Sequence, residues 1–161
     1  MRIIVLSDTH IPITTKSLPK KIIEELRISS LCLHCGDFVD ISVVEEISKY
    51  VKLIGVRGNM DSPQVQKTFP DKQVITVEDI KIGLIHGGGS PFNILERVKK
   101  ELGPNLDIYI FGHTHSPYNE ICEGKIFFNP GSPTDKVFAK SNSYGILNVE
   151  AGEIKREIVK I

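Results

Sequence analysis

No stretch of this sequence is long and apolar enough to span a bilayer. The opening MRIIVLSDTH is a short apolar run that passes straight into polar residues. That is not the shape of a secretory signal, so the expected location is cytoplasmic. An excess of charge of one sign is also missing, because 20 Lys and Arg offset 20 Asp and Glu. A neutral chain has no general pull toward nucleic acid or an anionic membrane surface. Tryptophan is absent, and 7 Phe and 4 Tyr are the only aromatics, so no dedicated nucleic-acid patch is evident. Three cysteines, an odd number, argue against a disulfide framework. No tandem repeat, low-complexity tract or linker interrupts the chain, and 161 residues suit one domain over 1–161 with a sizeable core.

What is present is a set of short apolar runs that end alike. Ile3 to Leu6 run into SDTH, and LCLHC (31–35) into Gly36-Asp37. LIGV (53–56) runs into RGNMD, IGLI (82–85) into HGGG, and IYIF (108–111) into GHTH. Such runs read as strands buried on both faces. Between them, SLPKKIIEELR (17–27), DISVVEEISKY (40–50) and PFNILERVKKEL (91–102) have helical spacing, with Ser17 a cap candidate for the first. Alternating strands and helices imply parallel pairing with right-handed crossovers. After residue 115, YNEIC, KIFFN, YGILNVEAG and EIKREIVKI are strand-like and joined by Gly-containing turns. The expected fold is α/β: two mixed sheets packed face to face, with helices outside. The span SPQVQKTFPDK (62–72) has no clear place in it.

Side chains at the carboxyl ends of parallel strands converge on one crevice. Here those ends offer Asp8, His10, Asp37, Asn59, His86, His113 and His115, including four of the chain's five histidines. Asp8 and His10 are two apart and can face the same way, as can His113 and His115. Seven O and N donors are too many for one tetrahedral zinc. They suit two divalent metals about 3.5–4 Å apart sharing a carboxylate. The mixed imidazole, carboxylate and amide set favours Mn, Fe, Zn, Ni or Co over Mg or Ca.

DTH, GD, GNMD, HG and GHTH, in this order, resemble the signature D-x-H, G-D, G-N-H-D/E, H, G-H-x-H of the calcineurin-like metallophosphoesterases. NPGSP (129–133) extends the resemblance to the small YfcE-type phosphodiesterases of bacteria and archaea. The resemblance implies a four-layer α/β/β/α sandwich and a metal-dependent phosphodiesterase acting on a small phosphodiester or nucleotide. It implies two metal ions, manganese first among the candidates: one on Asp8, His10 and His115, the other on Asn59, His86 and His113, with Asp37 bridging. Asp37, Asn59, His86 and Asp61 become the catalytic candidates. Asp61 is expected to orient a histidine, and Gly58 to provide a sharp bend before Asn59. A homodimer is a family-level expectation.

Two positions depart from the pattern. Met60 stands where many members have a His that is a candidate proton donor, and a thioether cannot donate a proton. The implied substrates are therefore diesters with good leaving groups. Gly88 stands where close relatives often have a second His, but only His86 is needed as a ligand.

The remaining motifs read as structural. Cys32 and Cys35 match C-x-x-C, but residues three apart on a strand point to opposite faces, and Cys122 stands alone. His34, in the same strand, is expected to be packed and hydrogen-bonded. HGGGSPFN reads as a flexible approach to the site that allows phosphate contact. NPGSP reads as a turn packed nearby, and KREIVK as a solvated strand face. Arg57 fits a phosphate contact or an ion pair equally. A scaffold of another class also competes. HIPITTKSLPKK (10–21) and KIGLIHG (81–87) are similar to the retromer subunit that has this fold. That subunit lacks the bridging Asp and one His and has Asp for the Asn, whereas the full set is present here.

Overall fold

The computed structural model describes residues 1–161. The elements follow in the order β1 (Arg2–Leu6), α1 (Lys20–Ile28), β2 (Leu31–His34), α2 (Ile41–Ser48), β3 (Leu53–Gly55) and α3 (Pro63–Thr68). Then come β4 (Lys72–Val77), β5 (Ile80–Ile85), α4 (Ile94–Leu102), β6 (Ile108–Ile110), β7 (Tyr118–Cys122), β8 (Lys125–Asn129), β9 (Ser143–Glu150) and β10 (Glu153–Lys160). They form two five-stranded sheets, ordered β10-β9-β1-β2-β3 and β4-β5-β6-β8-β7. In the first sheet β1 pairs parallel with β2 and antiparallel with β9; in the second, β5, β6 and β8 run parallel while β4 and β7 are antiparallel.

The apolar runs divide by the two-residue strand period. Ile3 and Val5 of β1, with Leu33 of β2, face the second sheet, where they pack with Ile82, Leu84, Ile108 and Ile110. Ile4 and Leu6 face outward against Ile22 and Leu26 of α1 and Val43 and Ile47 of α2. On the far side, Ile94 and Val98 of α4 cover Tyr109 and Phe127. The result is the expected α/β/β/α sandwich. A leucine buried in such a layer is worth about 2–5 kcal/mol against alanine. Cys32 and Cys35 fall in different layers, so the C-x-x-C sulfurs belong to separate cores. His34 is packed as expected: it stacks on Phe38 at 3.6 Å between centroids, and its Nδ1 accepts the Gly36 amide at 3.2 Å.

The differences from the sequence reading are local. The first helix starts at Lys20, with Pro19 rather than Ser17 at its N-cap and no side-chain cap. The second is capped by Asp40, whose carboxylate accepts the Ser42 amide at 2.9 Å. The fourth starts only at Ile94, because Asn93 is left-handed at φ 57°. The span 62–72 supplies the short α3 and the first residue of β4, an edge strand. Parallel pairing of β8 with β6 sets the NPGSP turn beside GHTH, and this places residues 130–135 at the site.

A candidate metal centre at the seam of the two sheets

Every candidate ligand follows a strand. β1 leads to Asp8 and His10, β2 to Asp37 and β3 to Asn59; β5 leads to His86, and β6 to His113 and His115. The first sheet thus supplies four of the seven and the second sheet three. Asp8, His10 and His115 form one compact group and Asp8, Asp37 and His86 another. His115 Nε2 lies 3.4 Å from Asp8 Oδ1. Asp8 is common to both groups, and Asp37 Oδ2 of the second reaches the first, lying 3.5 Å from His10 Nε2 as well as 3.3 Å from His86 Nε2. Asn59 Oδ1 is 3.1 Å from His86 Nε2. The His113 ring meets that of His86 edge-on at 5.3 Å, and its Nε2 is bonded to the Gly89 carbonyl at 2.8 Å. Nδ1 is then the His113 nitrogen available to an ion.

The backbone that presents these groups is strained. Asp8, His10, Asp37, His113 and His115 have φ of 52°, 44°, 58°, 68° and 53°. Left-handed non-glycine residues cost roughly 1–3 kcal/mol each and gather at functional sites. Hydrogen bonds hold them in place. Ser132 Oγ donates to the Asp8 carbonyl and Thr134 Oγ1 to the Thr9 carbonyl, both at 2.6 Å. The His113 amide donates to Asp8 Oδ2 at 3.0 Å, and the Cys35 carbonyl accepts His86 Nδ1 at 2.7 Å.

Asp61 does not orient a histidine. Its carboxylate accepts three backbone amides, Gly58 and Val39 at 2.7 Å and Asp37 at 3.2 Å. It therefore ties the Asp37 loop to the Asn59 loop. The residue that does brace a ligand is Asp135, which hydrogen-bonds His115 Nδ1. In sequence it is only an aspartate two residues past NPGSP, with no signal of its own. Gly58 also differs in role. Its φ is not left-handed, but a Cβ there would lie 2.1 Å from Asp37 Oδ1, so it is close approach that demands glycine. Of the two readings of Arg57 the structure shows the ion pair, a two-pronged one with Asp71 at 2.6 and 2.8 Å. The HGGG loop is fastened by Arg97, whose guanidinium donates to the carbonyls of Gly88 at 3.0 Å and Phe92 at 2.7 Å.

The site's charges are strongly coupled. Burial alone would raise the pKa of Asp8, but the neighbouring imidazoles of His10, His115 and His86 hold it well below the usual carboxylate range. Asp37, also opposed by burial, is held low by His86 and by the Met60 amide, which donates to Oδ1 at 2.7 Å. Burial disfavours charge on His86, yet Asp37 and Asp8 push it up to about 9. Asp8 and Asp135 likewise push His115 up to about 9 against its burial. His34, buried with no carboxylate bonded to it, is driven down to about 3.

The residues fit divalent cations. His10 Nε2 is buried with no hydrogen-bond partner while facing two carboxylates. A buried ring nitrogen left in that state is costly unless an ion takes its lone pair. A cleft of about 720 Å³ opens onto the cluster. This sandwich, with a histidine–carboxylate cluster at its strand ends, defines a metallohydrolase-type protein. The chain belongs to the calcineurin-like phosphoesterase superfamily, whose domain matches residues 1–152. A probable metallophosphoesterase of Methanocaldococcus jannaschii is 37% identical over 139 residues, 83% of this chain and 69% of that protein. An archaeal structure described as a phosphodiesterase has a TM-score of 0.75 at 25% identity, covering 99% of this chain and 100% of that one. A single mutant of Vps29 from Entamoeba histolytica has a TM-score of 0.79 at 24% identity, covering 100% and 99%, which is a likeness of fold. No helix is long and apolar enough to cross a membrane.

Proposed function

We propose that the protein is a phosphodiesterase that uses two divalent metal ions, manganese being the first candidate. The observation that carries this reading is the position of Asp37 Oδ2, within 3.5 Å of an imidazole from each ligand group. Asp8, His10 and His115 would hold one ion, Asn59, His86 and His113 the other, and Asp37 both. When bound, such a pair supplies a nucleophile from water at neutral pH and neutralises charge on the phosphoryl oxygens. The chain does the positioning. Asp8 and Asp37 are kept ionised, Asn59 aims an amide oxygen inward, and Asp135 fixes the His115 ring. Met60 lines the cleft and carries no proton, so residue 60 gives a departing alkoxide no help. Diesters with good leaving groups are the fitting substrates.

The Vps29-like fold supports a second reading, a protein-binding scaffold with little catalysis. The complete ligand set favours the enzyme, since burying these donors without an ion is unfavourable. The deciding assay is hydrolysis of bis-p-nitrophenyl phosphate by metal-stripped protein refilled with Mn²⁺, beside Asp37→Ala. Turnover that requires both the ion and Asp37 supports the proposal. No turnover with Mn²⁺, Ni²⁺ or Co²⁺, together with a stoichiometric copurifying protein, supports the scaffold.

A further inference from the structure

Beside the metal cluster the cleft wall is apolar where a surface is ordinarily polar. Val137 and Phe138 are 80% and 75% exposed, and Ile13 and Met60 are 63% and 48% exposed. All four line the same cleft. Exposed apolar side chains gathered at a concave site mark ligand contact. Their placement is also fixed. The Asp135 carboxylate that holds His115 accepts the amides of Val137 at 2.8 Å, Phe138 at 3.2 Å and Ala139 at 3.0 Å. The Phe138 ring meets His115 edge-on, at 5.9 Å between centroids. A single carboxylate thus ties a candidate metal ligand to an exposed aromatic face. The charge of the cleft narrows the choice of ligand. Among its lining residues Lys136 is the one Lys or Arg, and no arginine contributes. That suits a monoanionic phosphodiester better than a polyphosphate chain, which calls for several cationic partners.

We infer that the wall formed by Val137 and Phe138 is a specificity subsite that holds an aromatic or similarly flat apolar substituent of the phosphodiester, such as an aryl group or a nucleobase. The inference rests on the phosphodiesterase reading. A flat ring gains most against Phe138, because an offset or edge contact between aromatics adds to simple burial. A short aliphatic ester leaves the wall uncovered. Phe138 is therefore a residue that selects the substrate, while the cluster beneath it acts on the phosphate.

The test compares two esters with one leaving group, bis-p-nitrophenyl phosphate and methyl p-nitrophenyl phosphate, on the Mn²⁺-loaded protein. The quantity read is the ratio of their kcat/KM values, which cancels the leaving-group chemistry. Phe138→Ala should lower the ratio about tenfold, mainly through KM for the diaryl ester. Phe138→Tyr, which keeps the flat face, should restore it. Calorimetry supplies a readout apart from turnover: diphenyl phosphate should bind more tightly than dimethyl phosphate, and Phe138→Ala should remove most of the difference. If Phe138→Ala lowers both esters equally, or neither, the subsite inference is overturned and the phosphodiesterase reading stands. If the unaltered protein hydrolyses neither ester with any of Mn²⁺, Ni²⁺ and Co²⁺, the phosphodiesterase reading falls and takes this inference with it.

Discussion

The carboxylate of Asp135 is hydrogen-bonded to Nδ1 of His115, 20 positions earlier in the chain, so that Nε2 is the nitrogen turned to Asp8. This contact fixes both the ring's orientation and its tautomer, and a carboxylate partner makes an imidazole a stronger ligand. Three consequences of the site's construction are open to measurement.

Asp135→Asn keeps the size of the side chain and removes its charge. Such partners behind a ligand typically matter by about 10–100-fold in metal affinity or activity. Titration of Mn²⁺ into the stripped variant is expected to show weakening in that range, with the fold intact by circular dichroism. Unchanged affinity would show that His115 needs no orienting partner.

His86 and His115 have pKa values of about 9 in the metal-free protein, against an ordinary 6.5. A raised folded-state value means that their pairing with Asp37 and Asp8 adds stability that is complete below pH 6.5 and drains away as pH climbs through about 9. With chelator present, the melting temperature is expected to fall over that window, by about 2–4 °C for each kcal/mol lost. Ion binding needs the imidazoles neutral, so the gain in melting temperature on adding Mn²⁺ should grow over the same range. A flat profile with chelator would mean that the two rings titrate normally.

Met60 is 48% exposed and lines the cleft, so a different side chain is tolerated there. Met60→His introduces a proton donor where none exists. General-acid help is worth about 10²–10⁴-fold when well placed, and even partial placement should raise the rate on alkyl phosphodiesters about tenfold. Activated aryl esters should change little. If alkyl esters gain nothing, the lack of a proton donor at residue 60 does not explain the leaving-group preference.

The two sheets, and the gathering of the candidate ligands at one place, were legible because both rest on strong local signals. Each ligand follows an apolar run, and each run is long enough to be a strand buried on both faces. β4 was not legible: its burial alternates, but KQVITV itself does not alternate apolar and polar residues, and the turn residues Pro70-Asp71 and Glu78-Asp79 around it were not enough to mark it. The six residues of α3 are too few for a helical period to show. The bracing partners were hidden for another reason. Asp61 and Asp135 act through contacts 24 and 20 residues away, and only the packed fold brings those together. The expectation that Asp61 serves a histidine failed on this point, since three backbone amides lie closer to it than any ring. The left-handed backbone of five candidate ligands could not be placed in advance either: Asp and His tolerate positive φ more often than most residues, but most of them do not adopt it.

The cluster draws four residues from one sheet and three from the other, all from loops that meet over the line where the sheets abut. A cation seated there would be held by side chains from both sheets. Its binding energy would then also tie the two sheets to each other.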